Sequence, residues 1–568
     1  MLPKQWILRH VDLREQKAFA SLLAISPLTA SVLLARGITT KAQADHWLSP
    51  HQGATHDPFL IPDIEQAVDR LHRAVQAGER ICFYGDYDVD GMSATSLYVV
   101  FFSGLGANVT WYIPHRIQEG YGWNESAIAR LHSDGVTLLV TSDCGTMAHR
   151  EVEAACRLGL DVIITDHHQG EDLLPRALAV MNPYRKDSRY PFLGLCSAGL
   201  AYKVVQAYQT KYGSASVSLD SLLDFVALAT VADVVPLQDE NRYLVRQGLD
   251  LISRGVRAGI RALKSVAGVE RTCTAETIAF RLAPRINAAS RLAHADLGVR
   301  LLTTESEAEA HHIAGQLEQL NRERQGIEEQ TVVEALAAIN SDAPSTALVV
   351  ASRSWHLGVV GIVAARLVER YHRPAVVIAI DGQGIGKGSA RSVPGFDLYQ
   401  ALSECRDILE GYGGHPAAAG LMIEESRLPE FAERFQEVAA RWSAQHGRDP
   451  LLHVDAEVKL MDVGPRAVRE LDLLHPFGAG NPEPVFVIRN LTMLDIRVVD
   501  EGHLKLVVRQ PGSTPFESIG FRLGELLMQR GLSSKTSIDL ACMPELNRWN
   551  GLDRIQLRIK DLRACHPL

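Results

Sequence analysis

At 568 residues the chain is too long for one hydrophobic core, and roughly three or four domains are expected. Its 46% hydrophobic and 22% charged residues are those of a soluble globular protein, and no apolar run approaches the roughly 20 residues that cross a bilayer. The net charge of -9 counts against nucleic acid as a partner, because counterion release rewards basic surfaces, yet an enzyme that gathers acids around metal ions looks acidic while keeping local basic grooves.

The N-terminal stretch MLPKQWILRHVDLREQ mixes charge into every apolar run, unlike a signal peptide, and residues 1–50 are expected to pack as a segment on the core. Between about 80 and 185, ICFYGDYD, VTLLVTSD, DVIITDHH and ALAVMNP are short β-rich runs separated by helical stretches such as NESAIARLHSDG and REVEAACRLGL. That alternation predicts a parallel sheet with helices on both faces, in a domain spanning 51–300. Three of the runs end in acids, and ligands of such sheets bind beyond the carboxyl ends of the strands. Residues 301–342 read as a connecting helix, since Ile313, Leu317, Leu320, Arg324 and Ile327 recur by threes and fours and all but Arg324 are apolar.

A second α/β unit, 343–450, follows with TALVVAS, the helical LGVVGIVAARLVERY and PAVVIAI. From 451 to 568 the pattern is all-β, with HVDAEVKL, PVFVIRNLTMLDIRVV, HLKLVVRQ and a hairpin at Asn550-Gly551, an Asn-Gly pair being a strong type I′ turn signal. Short strands in this arrangement suit a small barrel such as an OB-fold. Residues 501–568 hold ten Lys and Arg against seven Asp and Glu, so basic charge is concentrated there. The eight cysteines form no C-x-x-C pair, so neither a disulfide framework nor a zinc site is indicated, and a reducing cytoplasm is the expected compartment.

The acids after the strands carry the chemistry. Asp86, Asp88 and Asp90 alternate, so in an extended segment they project to one side; three such carboxylates repel unless a cation neutralises them. Each also has a plain alternative, the capping of the helix that follows, and the same holds for Asp143 in TSDCG. Asp166-His167-His168 again follows directly on an apolar run. Asp233 stands in the apolar stretch ATVADVVP, where an unpaired carboxylate is costly; metal ligation or an ion pair removes that cost. Together, carboxylates with imidazole suit Mn²⁺ or Mg²⁺, and the number present is enough for two ions about 3.5–4 Å apart.

In chain order, DYDVDG, SDCG, the DHH triplet and ALATVADVVPL resemble the motifs of the DHH phosphoesterase superfamily. GYGGHPAAAG, with Gly413-Gly414-His415, resembles the signature of the associated DHHA1 domain. PRINAASRL and GKGSARS resemble stretches specific to the RecJ branch, the bacterial single-strand-specific DNA exonucleases. The metal motifs show no departure from the pattern, whereas the first 45 residues and the barrel match more loosely. The resemblance implies an α/β architecture: a parallel-sheet DHH domain at 51–300, the connecting helix, a second α/β DHHA1 domain at 343–450 and a C-terminal β-barrel of OB-fold type.

By that resemblance, Asp88 and Asp143 hold one divalent cation with Asp86 beside it or on its water. Asp90, Asp143, His167 and Asp233 hold the second, which leaves Asp143 as the bridge. Asp88, Asp143, His167 and His168 are then the catalytic group; His168 contacts the phosphate or assists proton transfer, its alternative being a hydrogen bond to a ligand. His415, in a Gly-Gly loop whose backbone approaches closely, is expected on a phosphate. Arg116, Ser389 and Arg391 resemble the family's pocket for a terminal 5′ phosphate, which an arginine fork suits. Arg285, Asn287 and Arg291 are expected near the scissile phosphate, each arginine having a surface ion pair as its alternative. Tyr121, Trp123 and Trp355 are candidates for base stacking, against core packing.

The implied activity is 5′-to-3′ hydrolysis of single-stranded DNA with two divalent cations, Mn²⁺ or Mg²⁺, in recombination and repair. Single-stranded DNA is the expected partner, and contact with a single-strand-binding protein is implied by the resemblance alone; a monomer with no membrane association is expected. One rival is a phosphodiesterase of short oligonucleotides or cyclic dinucleotides, which has no need of a barrel or an extended track. Another is a non-catalytic nucleic-acid-binding scaffold, which predicts missing ligands, whereas all six acids and imidazoles are present.

Overall fold

The computed structural model describes residues 4–50, 55–116, 118–120, 122–170, 172–213, 216–339, 345–447, 449–534, 536–549 and 552–565. Strand β1 (Gln5–Leu8) is followed by helices Leu13–Leu23, Pro27–Ala35 and Lys41–Leu48, capped by the side chains of Asp12, Ser26 and Thr40. Phe19, Leu28, Leu33 and Leu48 share one core with Leu460, Phe486 and Leu540 from the far end of the chain. The N-terminal segment therefore packs on the barrel and not on the first sheet.

The first sheet contains β2 (Arg80–Gly85), β3 (Val109–Tyr112), β4 (Val136–Ser142), β5 (Asp161–Thr165) and β6 (Ala179–Met181). All are parallel, in the order β3-β2-β4-β5-β6. Alternate residues bury on opposite faces: Ile81, Phe83, Leu138 and Val140 in one core, Cys82, Tyr84 and Leu139 in another. The chain steps outward from β2 to β3 and then returns to the other side of β2 as β4, so the strand order reverses between β2 and β4. Such a switch point opens a crevice at the carboxyl ends.

Helix Glu307–Ala338, 32 residues and about 48 Å long, joins two domains. Ile313, Ala314 and Leu317 enter the core of the first, and Ala335 enters that of the second. Between them Arg324, the polar member of the stripe, pairs with Glu328. The second sheet comprises β7 (Leu348–Ser352), β8 (Ala375–Ile380), β9 (Ile385–Arg391), β10 (Gly411–His415) and β11 (Ala418–Glu424). Its order is β10-β11-β9-β8-β7, and only β7–β8 is parallel.

The C-terminal region has β12 (Leu451–Val454), parallel to β1, and β13 (Ala456–Glu457), then β14 (Phe486–Val499), β15 (His503–Arg509), β16 (Phe516–Gly520), β17 (Ser537–Trp549) and β18 (Leu552–Ala564). The last five run β14-β15-β16-β18-β17 and close through β14–β17 into a barrel, with β16 and β18 parallel, as in an OB-fold. The turn at Asn550-Gly551 lies outside the described residues. Among those described, no single helix is long and apolar enough to cross a membrane.

Candidate metal centre and phosphate pocket

Strand register brings the acids together. Gly85 pairs with Ser142, so Asp86 and Asp143 leave the sheet side by side. One further ladder-like bond holds each acid: Asp86 N donates to Ser142 O (3.1 Å), Asp143 N to Thr165 O (3.0 Å) and Asp166 N to Met181 O (3.2 Å). Asp143 has φ of 71°, the left-handed region that Asp tolerates better than most residues.

Asp88 caps helix Val89–Gly104, accepting from Asp90 N (2.9 Å) and Gly91 N (3.1 Å). The capping alternative is thus realised, without removing the second carboxylate oxygen. A side chain at Gly91 would meet the Asp86 backbone at 2.5 Å, which is why this turn can press against the strand end. Asp90 accepts from Ser197 N (2.7 Å) and Ala198 N (2.8 Å) at the start of helix Ser197–Tyr212. Asp233 caps the C-terminus of Leu223–Ala232.

His167 Nε2 lies 3.1 Å from Asp143 Oδ1 and 3.5 Å from both Asp90 Oδ2 and Asp233 Oδ2. Burial, with His168 alongside, holds His167 at a pKa of about 4, so its imidazole is neutral and these contacts are not ion pairs. Three groups of donor atoms, each mutually within 4.8 Å, could hold an ion: Asp86, Asp88 and Asp143; Asp90, His167 and Asp233; Asp143, His167 and His168.

The electrostatics favour the binding of positive charge. Burial, then the neighbouring Asp88, pushes Asp90 up to about 7 and raises Asp86; burial and Asp90 push Asp233 up to about 8 and raise Asp143. The buried Asp86 Oδ1 has no hydrogen-bond partner. Hard oxygen donors with one neutral imidazole fit Mn²⁺ or Mg²⁺, and bound cations remove the repulsion.

His168 differs from its neighbour. Burial works against its charge, but Asp166, 2.8 Å away, raises it to about 9. Asp166 in turn accepts from Thr146 N (2.9 Å), and Asn182 donates to the His168 carbonyl (2.8 Å). Reasoning from sequence placed Asp166 among the strand-end acids without a role of its own and missed Ser197 and Asn182 as parts of the site; Asn182 follows directly on β6, whereas Ser197 opens a helix and no strand-end motif signals it. His168 stacks on His415 at 6.0 Å, which brings the second domain over the first. A side chain at Gly414 would lie 2.5 Å from Ala418 O, so the tight turn presenting His415 requires glycine.

The arginines form a second group. The guanidinium of Arg116 lies over Tyr87 at 4.7 Å. Arg291 Nη1 donates to Gly358 O (2.8 Å) and Arg391 Nη1 to Ser389 Oγ (2.9 Å). Both abut the first turns of helix Leu357–Tyr371, where a side chain at Gly358 would meet Arg291 O and one at Gly361 would meet Arg391 and Ser389. Burial, then Arg116, Arg324 and Arg391, brings Arg291 down to about 9, and burial with Arg116 lowers Arg391. Half-buried cations that repel one another beside a helix N-terminus are surroundings that suit an anion.

Arg285 does not join this group. It pairs with Glu318 of the connecting helix at 2.7 Å, the ion-pair alternative, and braces that helix. Asn287 Oδ1 is buried without a partner. Trp123 and Trp355 are buried, the latter bonded to Glu334, so core packing prevails for both; Tyr121 lies outside the described residues.

Residues 80–230 match the N-terminal domain of the DHH family, 345–441 the DHHA1 domain and 454–561 the RecJ OB domain. The chain is 38% identical over 562 residues to the single-stranded-DNA-specific exonuclease RecJ of Bacillus subtilis, covering 98% of this chain and 70% of that protein. Crystal structures of RecJ from Thermus thermophilus in complex with Mn²⁺ and with Mg²⁺ superpose with TM-scores of 0.84 and 0.80, at 31% and 30% identity. They cover 99% of this chain and 80% and 79% of those chains.

Proposed function

The chain belongs to the RecJ family of single-stranded-DNA-specific exonucleases, and on that footing we propose that it degrades single-stranded DNA from the 5′ end with two divalent cations, Mn²⁺ or Mg²⁺. Asp86, Asp88 and Asp143 hold one ion and Asp90, Asp143, His167 and Asp233 the other. The observation that carries this reading is the place of Asp143, whose carboxylate belongs to two of the three donor groups. Bound divalent ions supply Lewis-acid activation of water and neutralise charge on the scissile phosphate. His168, cationic through Asp166, contacts a phosphate oxygen together with His415. Arg116, Ser389 and Arg391 take the terminal 5′ phosphate, with Arg291 and Asn287 on the next phosphates.

The barrel extends the track for the strand. A cytoplasmic monomer acting in recombination and repair, in contact with single-strand-binding protein, completes the reading. The test is degradation of long strands labelled at the 5′ or 3′ end, with Mn²⁺, Mg²⁺ or chelator. Early release of the 5′ label, lost on chelation, is expected. Early release of the 3′ label would overturn the polarity, and preference for dinucleotides would overturn the exonuclease.

A further inference from the structure

A groove of about 810 Å³ runs between the phosphoesterase domain and the barrel. One wall starts at Val231 and Val234, on either side of Asp233, and continues to Phe280; the other includes Phe477, Met543 and Leu546. The groove thus begins beside the acidic cluster without being part of it.

Two irregularities of the backbone stand on the first wall. Val234 has φ of 59°, a left-handed conformation that is an outlier for a β-branched residue. Ile278–Leu282 is a π-helical turn ahead of helix Ala283–Leu292, a distortion frequent at functional sites. Each sets an apolar side chain in water: Val234 is 69% and Phe280 76% exposed, and no large apolar side chain among the described residues is more exposed than Phe280. The packing of the core requires neither.

Charge decides which part of a strand enters. The only Lys or Arg among the described lining residues, Arg558 and Lys560, both pair with Glu483, and Arg558 also faces Glu545. Glu276 adds a further acid. Phosphodiesters gain nothing there, whereas a base offers a π-face to Phe280. The eleven residue steps from Phe280 to Arg291 span about 16 Å of helix, which sets the groove a few nucleotides from the arginine pocket.

Resting on the nuclease reading above, we infer that this groove is a nucleobase subsite: one unstacked base of the single strand lies on Phe280, with Val234 against its edge. Bases in a duplex are stacked and paired and present no free face, so the subsite also favours single strands.

The test uses the full-length protein with Mn²⁺ and 5′-phosphorylated strands, intact or with one abasic residue at successive positions from the 5′ end. Phe280→Ala is expected to raise KM roughly ten-fold on the intact strand, with little change in kcat, and Phe280→Trp to restore it. At one position the abasic strand should raise KM for the wild type by a similar factor, and there Phe280→Ala should add nothing further. An unchanged KM for Phe280→Ala, or losses that multiply at every abasic position, would overturn the subsite while leaving the nuclease intact. Absence of hydrolysis of every strand by the wild type would sink the nuclease reading and the subsite with it.

Discussion

His167 Nε2 and Asp143 Oδ1 lie 3.1 Å apart, and Ser197 Oγ donates to the same Asp143 oxygen at 3.0 Å. The imidazole comes from the end of β5, the carboxylate from the end of β4 and the hydroxyl from a helix start, so three elements fix one oxygen. A carboxylate so held would be preorganised to serve both proposed cations. Asp143→Asn keeps the shape and removes the charge; turnover should fall by at least the roughly 10²–10³-fold that one charge-stabilising donor contributes in a dry site. Strand binding should persist through the arginine pocket. Steady-state kinetics with saturating Mn²⁺ would check this, and turnover within ten-fold of wild type would refute the bridge.

Asp166 acts one step further out. It touches His168 at both the backbone N (3.1 Å) and Nδ1 (2.8 Å) and keeps that imidazole charged up to about pH 9. In Asp166→Asn the raising charge is gone, so His168 should lose its proton near the ordinary histidine value of about 6.5. The wild-type kcat/KM profile should then stay level from pH 6 to 8, whereas that of the variant should decline across this window, with an overall loss of about 10–100-fold. Parallel profiles would show that Asp166 only supports the fold.

Metal, pH and stability are linked through Asp90 and Asp233. Their folded pKa values, about 7 and about 8, lie above the unfolded value near 3.9. Groups raised in this way stabilise the metal-free protein at low pH and lose that contribution as pH rises through the folded values, here from about 4 to about 8. Cations reverse the balance by favouring the ionised form and should release protons on binding. Mn²⁺ at a hundred times its Kd should add about 2.7 kcal/mol of stability, and the rise in Tm should be larger at pH 8 than at pH 6. Asp233→Asn should raise the Tm of the metal-free protein at pH 8 and shrink the response to Mn²⁺. A response to Mn²⁺ that is equal at both pH values would count against the cluster as its binding site.

Much of this was legible in the chain. Alternating strand and helix patterns located β2, β4, β5 and β6, and acids at their ends marked the crevice because a parallel sheet aligns its carboxyl ends. The stripe from Ile313 to Ile327 located the connecting helix. Strand β3 was not legible: its four residues are all half-buried at a sheet edge and carry no alternation. The seat of the N-terminal segment on the barrel depends on contacts between residues more than 400 positions apart, such as Ser26 with Glu470, which no local pattern encodes. The aromatics nearest the motifs, Trp123 and Trp355, went to the core, while Phe280 stands out only through a π-turn that its sequence does not announce.

If the arginine group receives the strand end as proposed, it trades stability for binding. Arg291 and Arg391 are half-buried beside Arg116, and among the described residues no carboxylate pairs with Arg391. Burial and mutual repulsion, which lower Arg391, mean that removing one cation relieves the others. Arg391→Ala should therefore leave the Tm unchanged or higher, the pattern of a group kept for function. A hydrogen bond to a charged group contributes about 1.5–3 kcal/mol, so the same variant should lose roughly ten- to hundred-fold in kcat/KM on strands with a 5′ phosphate and little on strands with a 5′ hydroxyl. Equal losses on both ends, or a Tm several degrees lower, would mean that Arg391 holds the second sheet to the helix Leu357–Tyr371 and does not receive the strand end.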